Sequence, residues 1–335
     1  MKKCIASVCM MIGALVLATG CGAQKEASSK VRMACFPNIT HAQALVMKNQ
    51  GMLEEKLGED YEVSWTTFTA GSSEVEAFFA GEIDMGYIGP VPAVNGNVKS
   101  DGDITVIANA ADAGAVLVKS ASLDISSVSE LSGKTVAIPQ IGNTQHLCLL
   151  NLLSENGLAP VSEGGTVEIV AVDNSNLQNM FDQGTVDAAL VPEPWGTILT
   201  ATDEVDLLLD YQDIYLGGNY PVAVVIVRNE FMEENPEVVK KFLELHQEVT
   251  DEINQNLEGS VDAMIDEIQS LTGNEYEKDT VLGAFSRTNV TTKLNEEALN
   301  AFAQTSYEQG FITALPKEGF VDTSILEGLS GGDKE

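Results

Sequence analysis

The sequence predicts an α/β protein of two lobes, each a mostly parallel sheet flanked by helices, facing one another across a single cleft. The first observation behind this is an internal repeat. Pro139 follows Pro37 by 102 residues, Ser175 follows Ser73 by 102, and Gly184-x-x-Asp187 follows Gly81-x-x-Asp84 by 103. Between these anchors each unit runs strand, polar loop, helix, strand, polar loop, helix, strand, turn, helix, the alternation that builds parallel sheets. The second observation is a helix-rich C-terminal third, which returns most simply to the first unit. A chain of 335 residues is long enough to give both lobes a core.

The N-terminus comes first. Lys2 and Lys3 precede an apolar stretch, Ile5–Leu17, and then Ala18-Thr19-Gly20-Cys21, which reads as a bacterial export signal. The stretch is short for a bilayer span. Cys21 after Ala-Thr-Gly matches a lipobox, although Leu17 stands one residue further from the cysteine than that pattern prefers. Acylation at Cys21 is expected, a plain secretory signal being the alternative, and residues 22–30 form a polar tether. The formal charge is −32; Lys2 and Lys3 leave with the signal, so the mature chain carries −34. Such a polyanion excludes binding of nucleic acid or an anionic bilayer through surface charge, leaving the lipid as its membrane contact.

The first unit then unfolds in order. Val31–Phe36 is a β-prone run ended by Pro37, and a helix follows to Gln50, closed by Gly51. Thr40 with Gln43, and Ser73 with Glu76, stand at capping-box spacing. Tyr61–Phe68 is a strand, Asp84–Ile88 a short one, and Gly89 with Pro90 opens a further helix. Ile104–Ala108 and Gly114–Lys119 are the next extended runs. In the second unit Thr135–Ile138 is a strand that Pro139 ends, and the leucines from 147 to 153 make a buried helix closed by Gly157. After Leu207–Leu209 comes a loop rich in Tyr and Gly, then a strand, Pro221–Val227. Asn235-Pro236 starts a long helix to about Asn256, with helical patterns at Ser260–Leu271, Asp279–Ser286 and Asn295–Glu308. Residues 31–118 with 217–335 form the expected first lobe and 119–216 the second. The hinge crossings then fall near Lys119 and Leu216.

In sheets of this kind ligands sit outside the carboxyl ends of the strands. In the first unit those ends carry Asn38, Thr40 and His41, then Gly71, Ser72 and Ser73, then Gly89 and Pro90. In the second they carry Gln140, Gly142, Asn143, Thr144 and Gln145, then Asn174–Asn176, then Glu193 and Trp195. The loop from Gln140 feeds a helix N-terminus, which leaves unpaired N–H groups and a positive dipole end where an anion is favoured. Asn143 and Thr144 either cap that end or offer their side chains to the ligand. Taken alone, the same loop is an ordinary capped strand–helix connection.

The rest of the inventory narrows the chemistry. No Ser/His/Asp spacing, G-x-S-x-G or P-loop appears, so a catalytic constellation is unsupported. Three scattered histidines, His41, His146 and His246, make no metal pattern, and packing or hydrogen bonding is the simpler role for the first two. Trp195 reads equally as an aromatic wall and as a core residue. Glu193 would repel an anion, so it binds an amine or faces another residue. Cys35 and Cys148, each in an apolar run, read as buried free thiols rather than a disulfide. No cofactor is called for.

Four fragments in order, FPNITHAQAL (36–45), GSSEVEAFFAGEIDMGYIGPVPA (71–93), GKTVAIPQIGNTQH (133–146) and VPEPWG (191–196), resemble the extracytoplasmic solute-binding proteins of ABC importers. The resemblance is to the nitrate/sulfonate/taurine group and spans nearly all of Val31 to Ile312. It implies a type II periplasmic-binding fold that closes around one small molecule, with ligand contact from the loops just named. It also implies delivery to an ABC permease and its ATPase; with Cys21 acylated, a monomer lipid-anchored on the extracytoplasmic face of the membrane is expected. The group includes binders of sulfonates, nitrate, bicarbonate and neutral pyrimidine or thiamine precursors. A small organic anion, an aliphatic sulfonate or taurine ahead of nitrate, is the expected ligand. The alternatives are a neutral pyrimidine or thiamine precursor, a same-fold enzyme acting on small carboxylates, and a purely sensory receptor. Pyrimidine-synthesising relatives carry a cysteine-rich motif that this chain lacks.

Overall fold

The computed structural model describes residues 29–330; Cys21, the export signal and most of the tether lie outside them, as do residues 331–335. From the N-terminal side, β1 (Ser29–Cys35) leads through α1 (Ala42–Gln50) and α2 (Met52–Leu57) to β2 (Tyr61–Thr67). Next come α3 (Gly71–Phe79), β3 (Met85–Ile88), α4 (Pro90–Lys99), β4 (Ile104–Ala113) and β5 (Ala115–Ser120). The second unit holds β6 (Thr135–Ile138), α5 (Thr144–Glu155), β7 (Glu168–Ala171), α6 (Leu177–Asp182), β8 (Ala188–Pro192), α7 (Trp195–Thr200) and β9 (Val205–Leu209). The chain continues through β10 (Pro221–Arg228), α8 (Asn229–Glu234), α9 (Pro236–Gln255), α10 (Leu257–Thr272) and α11 (Lys278–Ala284). It ends with β11 (Thr288–Val290), α12 (Glu296–Glu308) and α13 (Ser324–Ser330).

These strands form two sheets, ordered β11-β4-β10-β3-β1-β2 and β7-β6-β8-β5-β9. The triplets β2-β1-β3 and β7-β6-β8 are parallel, whereas β10 runs antiparallel between β3 and β4, and β5 antiparallel between β8 and β9. Each sheet is therefore mixed rather than mostly parallel. The reason lies in the passages between sheets. The parallel strands all end at the cleft, so a strand arriving across the cleft starts where they finish and runs the other way.

The first passage is at Gly114, with Lys119 already inside β5. Ala113 and Gly114 both have positive φ, 61° and 73°, and a Cβ on Gly114 would lie 2.7 Å from Thr288 Oγ1. The conformation and the close approach each demand glycine there. The second passage is the segment between β9 and β10, which contains Leu216. Helices α9, α10, α12 and α13 cover the first sheet, as the C-terminal pattern predicts, but α11 packs on α7 of the second unit.

Equivalent residues do equivalent work in the two units. Asp84 Oδ2 accepts from the Arg32 N–H at 2.9 Å, and its own N–H donates to the Arg32 carbonyl at 2.9 Å. Asp187, 103 residues later, makes the same reciprocal pair with Thr135 at 2.8 and 2.9 Å. The helix caps follow expectation less closely. Asn143 caps α5 by accepting the His146 N–H at 2.8 Å. The Ser73–Glu76 box does not form, because α3 already starts at Gly71. Gly71 packs so tightly on α4 that a Cβ there would fall 2.5 Å from Pro92 Cγ, so a tertiary contact sets the helix start. Gln43 is turned into the core, donating to the Ala110 carbonyl at 2.9 Å, and leaves Thr40 without its box partner. Cys35 and Cys148 are buried free thiols.

Candidate ligand-binding site

A cavity of about 490 Å³ lies where the carboxyl ends of the two sheets face one another. Twelve of the eighteen residues that the sequence picks out line it. From the first unit these are Asn38, Thr40, His41, Gly71 and Gly89. Asn38 Oδ1 accepts from the Thr40 N–H at 3.1 Å and fixes the turn after β1. The His41 ring stacks on Phe36 with centroids 5.0 Å apart, and its Nδ1 accepts the Phe36 N–H at 3.2 Å. Burial pushes the His41 pKa down to about 3, so the ring is neutral and shapes the loop as an acceptor.

From the second unit Gln140, Asn143, Thr144, Gln145, Asn174, Ser175 and Trp195 reach the wall. Thr144 is the first residue of α5 and 3% exposed, yet its Oγ1 has no hydrogen-bond partner in the structure. The Asn143 cap takes the His146 N–H and the Leu147 N–H bonds the Asn143 carbonyl, leaving the N–H groups of Thr144 and Gln145 to a ligand or solvent. Asn174 Oδ1, on the connection after β7, is likewise buried and unpartnered on the wall.

Six sequence-predicted residues lie off the wall, the exposed Asn176 among them. Ser72 Oγ accepts from Gln140 Nε2 at 2.7 Å, joining the two units beside the cavity. Ser73 is exposed, Pro90 is buried in α4 and has no N–H to offer, and Gly142 donates its N–H to His146 Nδ1 at 3.0 Å. Glu193 faces away from the cavity wall. Its Oε2 accepts the Thr197 N–H at 2.9 Å and its Oε1 meets Arg287 Nη1 at 3.1 Å. Burial raises its pKa, while that N–H and the guanidinium pull the other way. The same Arg287 reaches Asp210 at 2.8 Å, so it ties the C-terminal segment to the connections that follow β8 and β9.

Sequence reasoning missed the end of α10 and the connection to α11, whose Leu271, Thr272, Asn274 and Tyr276 form one side of the cavity. Tyr276 stands edge-on to Trp195, with ring centroids 6.2 Å apart and an interplanar angle of 83°. Nothing local marks those residues as a site; only the fold carries them to the cleft. The end of β2, with Thr67, Phe68 and Thr69, was missed for the same reason.

The wall holds no lysine or arginine, His41 on it is neutral, and Asp173 is its one acidic residue. The remaining histidines serve structure. His146 stacks on Phe311 at 5.1 Å, and burial lowers its pKa to about 4. His246 is buried between the Tyr87 hydroxyl and the Asn109 carbonyl, 2.8 Å from each. Among the described residues no group of His, Cys, Asp and Glu could hold a metal ion, and no helix is long and apolar enough to cross a membrane.

This architecture has known counterparts. The alkanesulfonate-binding protein SsuA from Xanthomonas axonopodis pv. citri, solved bound to MOPS, superposes with a TM-score of 0.73 at 18% identity, covering 88% of this chain and 98% of that one. The periplasmic nitrate-binding protein NrtA from Synechocystis PCC 6803 does so with a TM-score of 0.74 at 12% identity, covering 92% and 90%. At such identities the likeness is one of fold. By sequence, the taurine-binding periplasmic protein of Escherichia coli K12 is 31% identical over 183 residues, 54% of each protein, so the match spans little more than half of that relative. The profile of the NMT1-like family matches residues 24–263, which include both parallel triplets, the whole second sheet and every sequence-predicted wall residue, and the chain belongs to that family.

Proposed function

We propose that the chain is the extracytoplasmic solute-binding subunit of an ABC importer, capturing a small organic anion and passing it to a membrane permease driven by its ATPase. An aliphatic sulfonate, taurine included, is the preferred ligand, ahead of nitrate. One observation carries this: Thr144 lines the cavity at the N-terminus of the twelve-residue helix α5, and its buried Oγ1, beside Gly89, has no hydrogen-bond partner. A helix N-terminus favours an anion by about 0.3–1 kcal/mol, more when partly buried, and each neutral hydrogen bond contributes about 0.5–1.5. The surface charge of the mature chain acts through water and is screened beyond about 8 Å at physiological salt, so contact groups decide. The binding proteins among its relatives support transport rather than turnover.

Thr144→Ala is expected to weaken every sulfonate tested by about 1 kcal/mol, read by isothermal titration calorimetry. A neutral pyrimidine or thiamine precursor is the second reading, favoured by the Trp195–Tyr276 pair and by a wall without a cation. Binding of such a ring compound that is indifferent to Thr144→Ala would replace the anion reading with this one.

In the same proposal the lobes are the two sheet units, hinged at Gly114 and between β9 and β10, and the protein works as a monomer anchored through acylated Cys21. Mass spectrometry of the N-terminal peptide from a membrane fraction should find a diacylglyceryl group on Cys21. A mature chain released to the medium and starting elsewhere would remove the anchor from the proposal.

A further inference from the structure

We propose that the ligand carries a positive group beside its anionic one, recognised by Asp173 and the aromatic wall of Trp195 and Tyr276; this rests on reading the cavity as a sulfonate site. Charge on the wall is one-sided: Asp173 is its one acidic residue, and no lysine or arginine stands against it. Its side chain makes no capping bond and no hydrogen bond or ion pair with any described residue. A carboxylate left free on a cavity wall opposes a bare anion, whereas it attracts an ammonium.

The placement suits a zwitterion. Strands β6 and β7 pair as neighbours, and the Val172 N–H donates to the Ile138 carbonyl at 2.9 Å. The connections bearing Asp173 and the Gln140–Thr144 loop therefore leave the sheet side by side, about 5 Å apart. An anionic group at the start of α5 and an ammonium at Asp173 would be joined by a short spacer. The electron-rich faces of Trp195 and Tyr276 favour a cation within about 6 Å. The cavity of about 490 Å³ leaves room for substituents on the nitrogen.

The test is calorimetric titration of the full mature chain and of Asp173→Asn with taurine, isethionate and choline. Isethionate replaces the ammonium of taurine by a hydroxyl; choline keeps a positive group and drops the sulfonate. Asp173 is exposed and tied to no partner, so the variant should fold, which its unfolding midpoint will verify. The wild type should bind taurine at least about tenfold more tightly than isethionate, a difference of about 1.4 kcal/mol. Asp173→Asn should remove most of that preference by weakening taurine about tenfold while moving isethionate less than about threefold. Equal binding of the two sulfonates, or an equal loss for both in the variant, overturns the inference and leaves the sulfonate reading standing. If neither sulfonate binds, the sulfonate reading falls instead. Choline then decides: binding that weakens in Asp173→Asn sustains the positive group, and absence of binding ends it.

Discussion

Asp84→Ala is expected to lower the unfolding free energy by about 3 kcal/mol, while the matching change at Asp187 costs about 1. Asp84 is fully buried and binds two guanidinium groups. Arg32 Nε donates to its Oδ2 at 2.9 Å and Arg228 Nη2 to its Oδ1 at 2.9 Å, in addition to the backbone pair with Arg32. Through these contacts it fastens the start of β3 to β1 and to the end of β10. Removing the carboxylate leaves two cations without their shared partner, a change that costs about 3–5 kcal/mol when the pair is buried. Water reaches part of Arg32, whose side chain is 35% exposed, which sets the lower end of that range. Asp187 repeats the backbone pair but has no arginine, so its removal gives up little more than one hydrogen bond. Urea unfolding of the two variants measures the contrast. Equal losses would show that the arginines add nothing to the backbone clamp.

That pair also shows which parts of the molecule were legible in the sequence. The Gly-x-x-Asp signature was readable because it answers a local need in each unit: a turn, then an aspartate that closes the first strand onto the third. The same holds for Pro37 and Pro139, for Gly89, and for the polar loop ahead of α5, where strand ends and helix starts are fixed within a few residues. Hence twelve wall residues could be named in advance. The arginines on Asp84 could not, since Arg228 lies 144 residues away in a strand that returns from the other unit. Tyr276 reaches Trp195 by the same long route, and the antiparallel strands β5 and β10 depend on where the chain crosses the cleft. Glu193 stands at a strand end like the expected wall residues, and of its two readings the structure realises the second, a side chain that faces another residue. Its actual partner, Arg287, is 94 residues further on. Local chemistry marks the loops; which residues meet in the cleft is decided by the crossings.

Glu74→Met should stabilise the protein, and by more as the pH rises. Glu74 lies in the first turn of α3, is fully buried, and neither of its carboxyl oxygens has a partner. It is pressed against β1 and β3: a Cβ on Gly86 would fall 2.2 Å from Oε1. The helix N-terminus favours an ionised carboxylate there, but burial outweighs it and holds the pKa well above the usual carboxylate range. The sign then follows. Above the ordinary pKa the unfolded chain has released the proton that the folded chain retains, so the native state binds more protons and stability falls as pH rises. The fall begins in the ordinary carboxylate range and continues up to the raised pKa, at about 1.4 kcal/mol per pH unit from this group. Methionine has similar length and no proton to lose. The variant should gain about 1–3 kcal/mol in acid from no longer burying an unpartnered polar group, and the gap should widen through neutral pH. The protonated form also matters for the proposed ligand, because α3 begins at Gly71 on the cavity wall and a charge on Glu74 would oppose an anion from behind. Urea unfolding of both proteins from pH 4 to pH 8 tests this directly. Parallel stability curves across that range would mean that Glu74 gives up its proton in the folded state as readily as in the unfolded one.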